Sequence, residues 1–358
     1  MVLLNGKRIS MNQRVLVAMS GGVDSSTAAA LLKQQGLDVS GVTMKLAPGL
    51  CCDIGSAQAV CRHLGIPHTL IDMQVEFKRV VVQDLVSEYC CGRTPNPCIK
   101  CNDLIKFTLL LGYAVENGFD YLATGHYARI VRDEKSGRYL LKKGIDQGKD
   151  QSYFLYRLQQ GQMERLLLPL GGHLKTEVRR IARGFGLPAA ERVESQEVCF
   201  IPDNDYRAFL REHAPQMLRP GEMVLTDGTV VGRHEGIAFF TVGQRRRLGV
   251  SLGERLYVVR VEPDTNRVVL GTSDDLLTNW ALISDASFIP FDELRNRMRV
   301  EVKIRYRSAS VPSIIEPEEN GKVRVIFDHG VPGVCPGQAA VFYNEEVVVG
   351  GGVIESAT

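Results

Sequence analysis

The sequence has no apolar run approaching the ~20 residues that a membrane helix needs, which sets a helical membrane protein aside. It has no internal repeat, no low-complexity segment and almost no charge excess: 43 Lys and Arg stand against 41 Asp and Glu, for a net charge of +2. That balance is too even to announce a nucleic-acid partner, although it can hide a local basic patch, so a partner has to be argued from positions. The start, "MVLLNGKRISMNQRVLVAMSGG", has no signal-peptide core, because "RVLVA" reads better as a first strand, and secretion is not expected. Nine cysteines, an odd number, in a chain without such a signal point to the reducing cytoplasm, where thiols are structural, catalytic or metal-bound rather than stapled as disulfides. What remains is an ordinary globular composition, 44% hydrophobic and 23% charged, over 358 residues. That length exceeds one core and implies two or three domains.

From residue 14 to 125, short apolar strands alternate with amphipathic helices: "RVLVA", "SSTAAALLKQQG", "DVSGVTMK", "SAQAVCRHLG", "PHTLIDM", helices near 76–91 and 102–117, then "YLATG". This order predicts an α/β fold with a parallel sheet and right-handed crossovers. In the first helix Ala28, Leu31, Leu32 and Gln35 share a face and Gly36 supplies the stop. A hairpin is expected to turn at Ser136-Gly137, followed by helices in "GQMERLLL" and "KTEVRRIARGFG". Beyond about residue 215 the pattern changes to short β-runs with turn signals at Asp227-Gly228 and Asn266, and a final set of runs predicts a C-terminal β-barrel or sandwich.

"VLVAMSGGVDSS" sets Ser20, Gly21, Gly22, Val23, Asp24 and Ser25 between a strand and a helix. Two glycines allow unusual backbone angles, so successive N–H groups and the helix N-terminus can converge on an anion. The loop has no G-K-[ST], so it is not the phosphate loop of kinases and GTPases. The local alternative is a tight turn in which Asp24 or Ser25 merely caps the helix.

This loop resembles the pyrophosphate-binding motif of the PP-loop ATP pyrophosphatases, which implies ATP and Mg²⁺. With it, "RTPNPCIKCN", "ATGHYA", "KDQSYFLY", "EVCFI", "TVGQRRRLG" and "PGQAAVFYN" resemble, in order from about residue 14 to 354, the tRNA-specific 2-thiouridylases of the MnmA/TrmU family. The resemblance implies a PP-loop catalytic domain over 1–205, a central β-rich tRNA-binding domain over 206–276 and a C-terminal β-barrel over 277–358. It implies adenylation of the C2 oxygen of a wobble uridine and its replacement by sulfur, in tRNAs for lysine, glutamate and glutamine, with a cysteine desulfurase or sulfur-relay protein as donor. Carried over by position, it assigns ATP to Ala18, Met19, Ser20 through Ser25, Met44 and Gly125. The target base falls to Asn96, Pro97 and Cys98, and tRNA contacts to His126, Lys149, Asp150, Gln151, Arg305, Tyr306 and Gln338. A monomer is expected.

The residues add their own evidence for RNA. In "MRVEVKIRYR", Lys303, Arg305 and Arg307 would share one face of a strand, preceded by Arg295, Arg297 and Arg299, and Arg245, Arg246 and Arg247 add a second basic group. The alternative is a solvated β-surface.

Exchanging oxygen for sulfur needs a sulfur nucleophile, and a thiolate or persulfide is one once its pKa is lowered. The resemblance makes Cys101 a catalytic thiol and Cys199 the persulfide carrier, with a disulfide between them releasing product. Cys98 departs from the family pattern, where many members carry aspartate, and completes a C-x-x-C with Cys101. Three thiolates, Cys98, Cys101 and Cys199, could ligate a [4Fe–4S] cluster with one open iron, although C-x-x-C also serves redox and zinc chemistry. Two rivals remain: an ammonia-using synthetase on the same loop, and a redox-sensing tRNA-binding protein.

Overall fold

The computed structural model describes residues 2–4, 6–47, 52–192, 198–250, 253 and 255–357. Its contacts divide the chain into two compact units. The first holds residues 1–80, 98–202 and 346–348; the second holds 81–97, 203–345 and 349–358.

In the first unit a short antiparallel hairpin, β1 (Val2–Leu4) with β2 (Lys7–Ile9), precedes the sheet. The sheet consists of β3 (Arg14–Ala18), β4 (Asp38–Lys45), β5 (His68–Asp72), β6 (Tyr121–Ala123) and a late strand, β9 (Leu166–Leu167). Its order is β5-β4-β3-β6-β9 and every pairing is parallel, as the alternation of strands and helices predicts. Val15, Leu16 and Val17 of β3 are fully buried, the continuous apolar run of a strand covered on both faces.

Helix α1 (Val23–Gln34) packs through Ala28, Ala29, Ala30 and Leu32, and Gly36 ends its turn at φ +82°. Helix α2 (Ile54–Leu64) lies so near β4 that a Cβ on Gly41 would sit 2.6 Å from Cys61 Sγ, so only glycine fits there. The hairpin β7 (Ala128–Arg132) and β8 (Tyr139–Lys143) encloses Ser136-Gly137, as expected.

Helix is expected throughout "GQMERLLL", but it stops at Glu164, and Leu166 and Leu167, fully buried, become the edge strand β9. Burial beside β6 overrides the helical propensity of leucine there. The stretch 97–116 is helical but wound in part as a π-helix over Cys101–Leu110, a winding frequent at functional sites.

In the second unit β10 (Gly221–Leu225), β11 (Val230–His234), β12 (Tyr257–Glu262) and β13 (Arg267–Gly271) form a sheet of order β11-β10-β13-β12, whose turns hold Gly228 at φ +88° and Asn266 at φ +51°. Residues 81–97 belong with this unit because Val86 and Tyr89 pack on its core, the Tyr89 ring stacked 5.3 Å from Tyr206. A barrel follows: β14 (Leu277–Phe288), β15 (Met298–Lys303), β16 (Val311–Pro317), β17 (Val323–Pro332), β18 (Ala339–Asn344) and β19 (Val347–Ala357). Their order, β14-β17-β16-β15-β18-β19, closes through β14 with β19, so no edge is left unpaired.

Candidate active site

Ala18 ends β3, Met19 is buried beneath it, and Ser20 to Gly22 lead directly into α1, so the loop stands where a parallel strand delivers the chain to a helix N-terminus. Gly21 adopts φ +82°, and a Cβ on it would meet the Asp53 carbonyl oxygen at 2.6 Å. Gly22 is the N-cap of α1 and offers no side chain, so the first-turn N–H groups are left for an anion at the positive end of the helix. The Ser25 hydroxyl accepts from Ser20 N at 3.2 Å and donates to the Gly22 carbonyl at 3.2 Å, which holds the loop shut upon itself.

A carboxylate in an anion site would oppose phosphate, but Asp24 is neutralised. Lys175 Nζ, buried, donates to both its oxygens at 2.7 and 2.8 Å, and the Tyr127 hydroxyl donates to it at 2.7 Å. A Cβ on Gly125 would lie 2.8 Å from Asp24 C and Ser25 N, so the "ATGHYA" segment touches the loop directly. Met44 is buried near the end of β4. These features fit a bound pyrophosphate group.

Reading along the sequence missed three participants. Lys175 heads the Lys175–Gly184 helix, about 150 positions from the loop it supports. Asp53 donates its N–H to the Ser20 carbonyl at 3.2 Å and caps α2 through Ser56. Arg192 donates to Asp53 at 2.5 Å and to the Gly21 carbonyl at 3.0 Å. The hydrogen bonds from Ser56 and the Arg192 guanidinium hold the Asp53 carboxyl down at about 2. None of the three carried a sequence signal, because the burial of Lys175 and the contacts of Asp53 and Arg192 appear only in the folded chain.

Cys98 lies in the short helix Pro97–Lys100 and Cys101 begins the π-helical turn behind it. Burial pushes the Cys98 thiol up to about 11 and Cys101 to about 12, and each is raised further by the nearby Cys199 while Lys106 pulls both down. Cys101 also feels Cys52, while Cys51 lies outside the described residues. The three thiols therefore gather in one region, with Cys101 buried and Cys199 exposed. Among the described residues, however, no three His, Cys, Asp or Glu side chains stand close enough to hold a metal ion.

His126 follows the loop-contacting glycine, its Nδ1 2.7 Å from Thr124 Oγ1 and its ring packed on Phe107; burial, with Lys106 near, pushes it well below the usual histidine range. Lys149 sits in a turn, its N–H on the Asp146 carbonyl. Asp150 is buried and accepts from Gly144 N and from Ser152 N and Oγ, and Gln151 Oε1 accepts from Tyr127 N. Both side chains are engaged in shaping the loop beside the site.

In the second unit, Gln338 Nε2 donates to the Thr94 carbonyl at 2.9 Å, and Thr94 N donates to the Pro336 carbonyl. Gly337, at φ +92°, leaves no room for a Cβ, which would meet Thr94 N at 2.7 Å. The "PGQ" turn thus clasps the segment that carries Asn96 and Pro97.

The expected basic strand face is corrected. Strand β15 ends at Lys303, so Arg305 and Arg307 lie in the turn that follows rather than alternating along it, and Arg305 donates to the Gly333 carbonyl. Lys303 stands over the Tyr306 ring at 5.9 Å. Arg297 pairs with Glu316, Arg299 with Asp328 and Arg295 with Glu293, so neighbouring acids neutralise the preceding arginines.

Comparison with known proteins matches this order of parts. Residues 13–203 match the tRNA methyl transferase HUP domain, 207–272 the tRNA methyl transferase PRC-barrel domain and 278–354 the Aminomethyltransferase beta-barrel domain. The chain is 45% identical over 356 residues to the tRNA-specific 2-thiouridylase MnmA of Carboxydothermus hydrogenoformans, covering 96% of this chain and 98% of that one. The chain belongs to the tRNA-specific 2-thiouridylase MnmA family. The protein of the same name from Acetivibrio thermocellus is 44% identical over 356 residues, covering 96% of this chain and 99% of its own, and MnmA 1 of Thermoanaerobacter sp. is 46% identical over 357 residues, covering 96% and 98%.

Proposed function

We propose that this protein is an ATP-dependent tRNA-uridine 2-sulfurtransferase that converts the wobble uridine of tRNAs for lysine, glutamate and glutamine to 2-thiouridine. The observation that carries the reading is the presence, in one unit, of an uncapped phosphate loop and of three cysteines close enough to influence one another's ionisation. The names of its relatives support tRNA as the substrate.

The N–H groups from Gly21 to Ser25 bind the pyrophosphate end of ATP, and Mg²⁺, when bound, would offset the negative charge there. The uridine is turned out of the anticodon loop, where its stacking is already partial, at a cost of about a few kcal/mol. Its O2 attacks the α-phosphorus, pyrophosphate leaves, and C2 now carries AMP as a leaving group. A sulfur donor, a cysteine desulfurase or relay protein, has placed a sulfane sulfur on Cys199, whose exposure suits docking of such a donor. The terminal persulfide sulfur attacks C2 and AMP departs, leaving C2 joined to Cys199 through two sulfurs. Cys101, whose buried thiol must first give up its proton with Lys106 favouring the thiolate against the effect of burial, then attacks Cys199 Sγ. The electron pair of the broken S–S bond passes to the sulfur on C2, which leaves as 2-thiouridine, and a Cys101–Cys199 disulfide remains for an external thiol to reduce. No step runs through a cluster. Cys98 and the Gln338-clasped Asn96-Pro97 segment face the base, while His126, Lys149, Arg305 and Tyr306 contribute to the tRNA surface. The protein acts as a monomer in the cytoplasm.

The test is an anaerobic thiolation assay on unmodified tRNA with ATP, Mg²⁺ and a persulfide donor, scored by nucleoside mass spectrometry. Wild-type protein gives 2-thiouridine and releases pyrophosphate only when tRNA is present, and Cys199→Ser gives none while binding tRNA normally. Thio-product from Cys199→Ser, or pyrophosphate release without tRNA, overturns the scheme.

A further inference from the structure

The phosphate loop is held by more than its own residues. On one side the backbone of Asp53 grips it: Asp53 N donates to the Ser20 carbonyl, and the Asp53 carbonyl oxygen occupies the space a Gly21 Cβ would need. The Asp53 side chain takes Arg192 at 2.5 Å, and the other arm of the same guanidinium donates to the Gly21 carbonyl at 3.0 Å. A trans peptide is planar, with its C=O and N–H pointing in opposite directions. Fixing the Gly21 carbonyl on Arg192 therefore turns the Gly22 N–H the other way, where Gly22 N donates to Ser20 Oγ at a long 3.4 Å.

Arg192 is itself anchored. The Arg179 guanidinium donates to the carbonyls of Ala190 and Arg192 at 3.1 and 3.2 Å. Arg179 stands on the Lys175–Gly184 helix, whose first residue holds Asp24. One helix thus governs both ends of the loop, through Lys175 at Asp24 and through Arg179 and Arg192 at Gly21.

The Arg192–Asp53 pair is about 40% exposed, at 41% and 44% for the two side chains, so solvent screening leaves it little to contribute to folding stability. Its geometry has a different consequence. A bidentate arginine spanning a carboxylate and a loop carbonyl fixes orientation, which a lysine cannot reproduce.

We infer that Arg192, set by Asp53, is a positioning residue for ATP: it orients the Gly21–Gly22 peptide so that the Gly22 N–H is presented to the pyrophosphate before the nucleotide arrives. This rests on the ATP-site reading above and adds to it a residue outside the loop. Preorganised donors bind an anion without the cost of ordering the loop at that moment.

The experiment uses the full chain and α,β-methylene-ATP, which occupies the site without cleavage, with binding measured by calorimetry and stability by thermal unfolding. Arg192→Ala weakens binding about tenfold or more, the loss of a charge-assisted hydrogen bond, with little change in Tm. Arg192→Lys recovers only part of the affinity. Arg183→Ala, which breaks an exposed pair with the adjacent Glu191, binds as the wild type does. In turnover Arg192→Ala raises KM for ATP more than it lowers kcat. Wild-type affinity in a folded Arg192→Ala protein overturns the inference. Where that variant does not fold, Asp53→Asn decides, because it frees Arg192 while its amide oxygen can still cap Ser56. Failure of the wild type to bind the analogue would instead remove the ATP reading itself.

Discussion

Replacing Lys175 by methionine tests how the carboxylate in the phosphate loop is tolerated. Methionine keeps the length and most of the volume of the lysine side chain, so packing is largely retained and the ammonium is what disappears. Two hydrogen bonds of 2.7 and 2.8 Å to Asp24 are lost, and the carboxylate keeps the Tyr127 hydroxyl. Removing one partner of a fully buried pair costs about 3–5 kcal/mol. Asp24 is 30% exposed and retains a donor, so about 2–3 kcal/mol is expected, corresponding to a fall in Tm of about 4–12 °C at about 2–4 °C per kcal/mol. The unpaired carboxylate also opposes the incoming phosphates, so pyrophosphate release falls by more than stability alone accounts for. The assay is a double-mutant cycle with Asp24→Asn, read by thermal unfolding and by pyrophosphate release. Asp24→Asn in the Lys175→Met background relieves the stability loss, because no uncompensated charge remains. Additive losses in the cycle would refute the claim that Lys175 acts by neutralising Asp24.

Gly125→Ala drives a methyl group to within 2.8 Å of backbone atoms of Asp24 and Ser25, so the loop must shift; a loss of about 1–3 kcal/mol and of nucleotide binding is expected, and an unaltered affinity would place "ATGHYA" away from the ATP site. Lys7 is buried, donates to the Met163 and Leu166 carbonyls, and burial lowers its pKa from 10.5 to about 7. Because the unfolded chain holds this proton up to about pH 10.5 and the folded one releases it near 7, stability rises with pH between these values. Lys7→Met therefore shows a flatter rise in denaturant midpoint from pH 7 to 10 than wild type, and parallel curves would contradict the burial argument.

The parts of the site that lie together in sequence were legible there. Ser20 to Ser25 announce an anion loop because strand, glycines and helix start are contiguous, and the parallel sheet follows from the alternation of apolar runs. The expected basic face failed for a reason no one-dimensional pattern contains. Glu316 and Asp328 reach Arg297 and Arg299 from β16 and β17, and the strand stops at Lys303 before Arg305 can take its place in the alternation. Leu166 and Leu167 carry helical propensity, yet pairing with β6 makes them a strand.

By itself the sequence determined which chemistry is available: a phosphate loop, a proline-flanked pair of cysteines and a distant third. The tertiary structure decided what holds that chemistry in place, since Lys175, Arg192 and Asp53 reach the loop only once helices far apart in the chain have packed. It also brought Cys199 near enough to Cys98 and Cys101 to raise the pKa of both. The physical reason is the same in each case: hydrogen bonds and ligand sites depend on distances of about 3 Å, and those distances are set by packing rather than by order along the chain.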